Sequence, residues 1–325
     1  MKLSDVLGQR VAVSILQRSL ETERIAHSYL FLGRDGVGRR TAATAFARHL
    51  LCETGESCGV CRECQRVVSD NHPGFRTIGG EGGVGIDAVR ELKHAASLRY
   101  KHFTVWLIED AARLSIPAAN AFLKTLEEPL GNTVFILTAR STEELLPTVV
   151  SRCQIVPFRH LSEGVLRELL RRNAVDCSNT EETELILRMS RGSIGEVLRL
   201  KDSDVFERRH WVIEQMAALP TMAVPDILGL AVRWDEGRQT VLDDFDLMLC
   251  WYRDLLLINA RADSDTLFNL DREEDLRRIS RQYSLEALHD LCAAVEAAKV
   301  RAMQNVRVRY LLSDLLLQMK KGALI

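Results

Sequence analysis

The sequence predicts an α/β domain built on a mainly parallel sheet, then a small helical lid and an all-α C-terminal domain. Short apolar runs alternate with amphipathic segments through residues 1–160, and the strand signal stops near Leu161. All seven prolines lie at or before Pro225, so helix punctuation is sparse in the rest of the chain. At 325 residues the chain exceeds one hydrophobic core, which calls for two or three domains. Strands are expected at Tyr29–Leu32, Phe75–Ile78, Val105–Ile108, Val134–Leu137 and Ile155–Phe158, each bounded by Gly, Pro or charge. Helical periodicity between them covers Val11–Leu20, Thr41–Leu51, Ile86–Ala96 and Ala118–Leu126. The lid is expected over 161–203, with helices at Val165–Arg172, Glu181–Met189 and Gly195–Leu200. Apolar spacing of three and four in Phe245–Ala260, Leu285–Lys299 and Val308–Met319 makes 204–325 a helical bundle.

Composition narrows the function. Hydrophobic residues make up 46% and charged residues 27%, with a formal net charge of -2, the profile of a globular chain. Balanced charge disfavours a protein that coats nucleic acid by itself. Neither a membrane-length apolar run nor a secretory signal is visible, so a cytoplasmic location is expected.

The stretch Leu30-Phe31-Leu32 runs through Gly33, Arg34, Asp35, Gly36, Val37, Gly38, Arg39, Arg40 and Thr41 into a helical segment. This is the strand, glycine loop and helix context of a phosphate site, where backbone N–H groups cradle phosphate, a Lys reaches the outer phosphates and a hydroxyl holds magnesium. Arg39 occupies the lysine place and Arg40 the hydroxyl place, with Thr41 one residue late. Arginine is no neutral exchange for a point-charge lysine, and a second cation would repel the metal. A glycine turn that merely links strand to helix is the plainer reading. The apolar run Val105–Ile108 ends in Glu109 and Asp110, the order opposite to the Asp-Glu that a motor ATPase uses. Together these describe a degenerate phosphate loop and a degenerate acidic strand end, and whether ATP or ADP still binds stays open.

Cys52, Cys58, Cys61 and Cys64 fall within thirteen residues, while Cys153, Cys177, Cys250 and Cys292 are scattered. Four thiolates with two overlapping two-residue spacings suit one tetrahedral Zn2+, and with all positions filled by protein the role is structural. Free thiols or a redox pair are the alternative. Phe103, Trp106 and Trp251 read as core, since no aromatic and basic cluster surrounds them.

Asp5-Val6-Leu7-Gly8-Gln9, Ala26-His27-Ser28-Tyr29-Leu30-Phe31, the four-cysteine loop, Asn120-Ala121-Phe122-Leu123-Lys124-Thr125-Leu126-Glu127-Glu128-Pro129 and Ser151-Arg152-Cys153 occur in the order seen in bacterial AAA+ clamp-loader subunits, and the chain resembles that family. The resemblance covers most of the first 200 residues. It implies a RecA-like AAA+ domain over 1–160 with its zinc-binding loop at 52–64, the lid over 161–203, and an oligomerising collar over 204–325. It implies a DNA polymerase III subunit that joins delta and tau/gamma subunits in a hetero-pentamer, which opens the beta sliding clamp and places it on primed DNA. Arg39-Arg40, Glu109-Asp110 and Gly195 all depart from the tau/gamma motor pattern, so a non-hydrolysing stator is expected. Arg152 keeps its motif, and the resemblance makes it an arginine finger acting in trans on a neighbouring ATPase. Lys124 stays open between solvated surface and interface. The alternative function is an ATP-hydrolysing tau/gamma-type motor.

Overall fold

The structure is a computed structural model that describes residues 2–79, 103–128, 131–175, 180–201, 205–304 and 306–323. The helix expected at Ile86–Ala96, Pro129 and Cys177 lie outside the described residues.

Five parallel strands form one sheet: β1 (Ser28–Leu32), β2 (Phe75–Gly79), β3 (Thr104–Glu109), β4 (Thr133–Ala139) and β5 (Gln154–Pro157), in spatial order β2-β3-β4-β1-β5. The five expected strands are all present. β1 lies between β4 and β5, pairing Ser28 with Phe135 and Tyr29 with Gln154. Period-two alternation decides which core each side chain enters. Tyr29 and Phe31 join Phe46 of α2 (Arg39–Leu51) and Leu16 of α1 (Arg10–Glu21) on one face. Leu30 joins Trp106, Phe135 and Phe122 of α4 (Ile116–Glu127) on the other. Both faces of the sheet are thereby covered, as a parallel sheet requires, and the result is the expected α/β architecture.

Between α2 and β2 the cysteine loop contains a short helix that the sequence reading missed, α3 (Arg62–Val68). Cys61 caps it, its Sγ accepting from the Cys64 N–H at 3.4 Å. A one-turn helix, α5 (Pro147–Val150), precedes β5.

The expected helices follow as α6 (Glu163–Arg172), α7 (Thr180–Met189) and α8 (Ile194–Lys201), then, after the unforeseen α9 (Val205–Ala218) and α10 (Val224–Trp234), as α11 (Arg238–Asn259), α13 (Leu285–Met303) and α14 (Val308–Gly322), with a further unforeseen helix, α12 (Glu273–Ser280), between α11 and α13. The chain divides into two compact units, one comprising 1–180 with 190–198, the other 181–189 with 199–325. The second unit has its own apolar core, with Trp234, Phe245, Trp251, Tyr252 and Leu312 fully enclosed. Asp244, entirely buried, accepts from the Trp234 indole N–H at 2.8 Å and from Arg208 Nε and Nη2 at 2.9 and 2.7 Å. A buried carboxylate is tolerable only when paired and hydrogen-bonded in this way.

Candidate functional site

The glycine loop leaves the carboxyl end of β1, where ligands of open α/β sheets bind. Gly38 has φ +98 and caps α2, a left-handed geometry that favours glycine. Gly36, at φ +71, is pressed against the start of α8: its carbonyl accepts from Ile194 N–H at 3.0 Å and Gly195 N–H at 3.4 Å. A Cβ on Gly36 would meet Ser193 Oγ at 2.2 Å.

The two arginines of the loop are both engaged by the protein. Arg39, only 9% exposed, donates through Nη1 to the Ala139 carbonyl at 2.6 Å and pairs with Asp35, which in turn holds Arg140 at 2.6 Å. Burial pulls the Arg39 guanidinium below its ordinary value, opposed by Asp35. Arg40 donates to both carboxylate oxygens of Glu109, at 3.2 and 3.0 Å, with Asp70 at 3.8 Å. Asp110, in a left-handed conformation with φ +51, pairs with Arg113 at 2.7 Å, donates its N–H to Thr138 Oγ1 at 3.0 Å, and its charge also supports the Arg39 guanidinium. Thr41 lies in the first turn of α2. The fold therefore brings Gly33, Gly36, Gly38, Arg39, Arg40 and Glu109 together, and a guanidinium stands against the acidic strand end.

Gln9 is a residue of this region that motif reading quoted without giving it a task. Its Nε2 donates to the Val37 carbonyl at 3.0 Å and the Arg159 carbonyl at 2.6 Å, and its Oε1 accepts from Arg159 N–H at 2.9 Å. One buried amide thus ties the glycine loop to the segment after β5. In an opening that also holds Lys2, Ser4, Asp5 and Arg10, one more polar side chain gave no signal of that role.

The four cysteines converge, with all four sulfurs within 4.8 Å of one another. Cys52 Sγ lies 3.7 Å from Cys58 Sγ and 3.9 Å from Cys61 Sγ. A tetrahedral ion with Zn–S bonds of about 2.3 Å requires sulfur separations of about 3.8 Å, so these edges fit zinc. Backbone N–H groups of Cys58, Cys61 and Cys64 each donate to the sulfur of the preceding cysteine at 3.4 Å. Burial opposes ionisation of Cys52, but hydrogen bonds from Thr54 and from backbone N–H groups bring its thiol down to about 5. Burial chiefly pushes Cys64 up to about 12, against a hydrogen bond from Gly59 and another from Arg48. Backbone N–H groups of Cys61 and Val60 also lower Cys58, so the set offers two thiols eased towards the thiolate and one reluctant thiol, which a divalent cation would deprotonate. Buried Arg48 lies beside the loop, where its charge would offset part of the negative charge that four thiolates leave around a divalent ion.

Arg152 sits at the other end of the sheet. It follows α5 and precedes β5, and the Ser28 hydroxyl at the start of β1 donates to its carbonyl at 2.6 Å. The five residues of β1 separate this edge from Gly33, roughly 16 Å at 3.3 Å per residue. Its guanidinium donates to Glu127 Oε1 at 2.5 Å, the Thr148 carbonyl at 2.9 Å and Ser151 Oγ at 3.4 Å. The structure does not bring Arg152 to the chain's own glycine loop. Lys124 is exposed on α4, while Phe122 and Leu126 of the same helix are buried.

Among the described residues no helix is long and apolar enough to cross a membrane. Comparison with known proteins supplies the family. Residues 8–162 match the family described as DNA polymerase III, delta subunit, and residues 203–321 match DNA polymerase III, delta subunit, C terminal. The chain is 29% identical to DNA polymerase III subunit delta' of Bacillus subtilis over 322 residues, covering 95% of each chain. Identity to the subunit delta' of Pseudomonas aeruginosa is 31%, over 90% of this chain and 91% of that one. The Bacillus subtilis tau subunit is 25% identical over 89% of this chain, which spans only 56% of that subunit's length. Near end-to-end coverage of the delta' subunits, on a sheet whose glycine loop carries two engaged arginines, places the chain in the DNA polymerase III subunit delta' family.

Proposed function

We propose that this chain is the stator of a replicative clamp loader: a delta' subunit that hydrolyses no ATP itself and lends Arg152 to an adjacent ATPase subunit. The observation that carries the reading is the filling of its own phosphate loop. Arg39 is spent on Asp35 and the end of β4, and Arg40 stands against Glu109, where a motor would hold magnesium. Arg152 supports the second half, because it projects from the sheet edge opposite that loop, with its backbone fixed to β1 through Ser28. A planar cation there can stabilise charge on a phosphoryl group held by a neighbour, as arginine fingers do. The partners in this reading are delta and tau/gamma subunits, with the beta clamp and primed DNA reached through the complex. The knuckle of Cys52, Cys58, Cys61 and Cys64 holds one structural zinc, and the second compact unit supplies collar contacts.

The test is reconstitution with delta and tau/gamma subunits. The isolated chain is expected to show no ATP turnover. Arg152→Ala assembles normally yet lowers turnover of the complex at least tenfold, the low end of what a finger contributes being far larger still. Unchanged turnover in the Arg152→Ala complex removes the finger, and turnover by the isolated chain that Arg39→Ala abolishes identifies a motor instead.

A further inference from the structure

We infer that Glu127 is a latch that parks Arg152 on its own chain until a neighbour's nucleotide competes for it. The inference rests on the finger reading of Arg152 and adds a second residue to it. The base of the finger is pinned by hydrogen bonds. Ser28, 1% exposed, donates to the Arg152 carbonyl at 2.6 Å, and the Arg152 N–H donates to the Val149 carbonyl at 3.1 Å. The head is held differently. Glu127 ends α4, remains 49% exposed, and takes Arg152 Nη2 at 2.5 Å, while Nη1 rests on the Thr148 carbonyl. The Arg152 side chain is 34% exposed, so a ligand can reach it.

This arrangement sets two states for one guanidinium. In the parked state a carboxylate neutralises the charge; a phosphoryl group brought by a neighbouring subunit offers more negative charge in the same direction of need. An exposed ion pair is weak, worth at most about a fivefold factor in an equilibrium constant. The latch therefore gates the finger without locking it. Glu127 touches no reacting atom in this scheme and acts only through Arg152, as a positioning residue.

The experiment compares Glu127→Gln, Glu127→Asp, Arg152→Ala and the Glu127→Gln/Arg152→Ala double variant, each assembled with delta and tau/gamma subunits. Stoichiometry is checked first, since all four should assemble like the parent. Glu127→Gln is expected to raise kcat for ATP by about two- to fivefold at low salt with KM little changed, because the finger acts on the transition state. The gain shrinks as salt screens the parent's ion pair. Glu127→Asp, which restores the charge, returns kcat towards the parent. In the Arg152→Ala background Glu127→Gln changes nothing. A fall in kcat for Glu127→Gln, or an effect that persists without Arg152, overturns the latch. Loss of turnover in Arg152→Ala with Glu127→Gln at the parent value removes the latch and leaves the finger. No loss in Arg152→Ala removes both.

Discussion

Restoring the motor residues should reopen the phosphate loop, and the structure sets how much. Phosphate cannot use Arg39 while that side chain, nine-tenths buried, is committed to the Ala139 carbonyl and Asp35. Charge-assisted hydrogen bonds of this kind are worth about 1.5–3 kcal/mol. Magnesium cannot approach Glu109 until Arg40 leaves it, and with Arg40 59% exposed that pair contributes about 1 kcal/mol or less. Together about 2–4 kcal/mol stands against binding, a weakening of about 30- to 700-fold before any loss of metal ligation. The perturbation is the double substitution Arg39→Lys/Arg40→Thr, with far-ultraviolet circular dichroism to confirm the fold. Titration of a fluorescent ATP analogue with magnesium should show no saturation by the parent up to millimolar nucleotide. The double variant should bind at least about 30-fold more tightly. Saturation of the parent at low micromolar nucleotide, or a folded double variant no better than the parent, would refute the reasoning.

Two further outcomes follow from other parts of the molecule. Purified reduced protein should carry one zinc per chain, and Cys61→Ser should release it and lower the thermal midpoint; metal analysis well below one equivalent in the parent excludes the site. Asp244→Ala should destabilise the second compact unit by about 2–3 kcal/mol, because it strips the Trp234 N–H of its acceptor and takes from Arg208 one of its two carboxylates, Glu236 remaining. Denaturant titration of the whole chain would detect that loss, and a change under about 1 kcal/mol would mean the network is not holding charge.

What the sequence disclosed and what it withheld divide along one physical line. Periodicity reports which face of a segment is apolar, so the five strands and the long helices α11, α13 and α14 were legible. It does not report which core that face enters. Helix α7 lies in the expected lid stretch, yet its Met189 packs on the core of the second unit, while α6 belongs with the first. Helix α3 stayed hidden because seven residues with two arginines and a cysteine carry no periodic signal, and its start depends on a sulfur acting as cap.

The site follows the same rule. Residue type at a motif position raised the expectation that Arg39 and Arg40 stand where a motor has Lys and Thr, but not that Glu109, 69 residues away, would take up the second of them. That pairing changes the meaning of the substitution. A loop that had only lost its lysine would leave Glu109 bare and the pocket electrostatically open to a cation. Here a cation is built in, tethered to the first turn of α2. Selection for an empty pocket need not produce such a tether; selection for a rigid wall that no nucleotide can remodel would. Since nucleotide binding reshapes a loop only through differential contact with its two states, a loop whose charges are satisfied internally should hold one shape through every ATP cycle of the neighbours proposed for it.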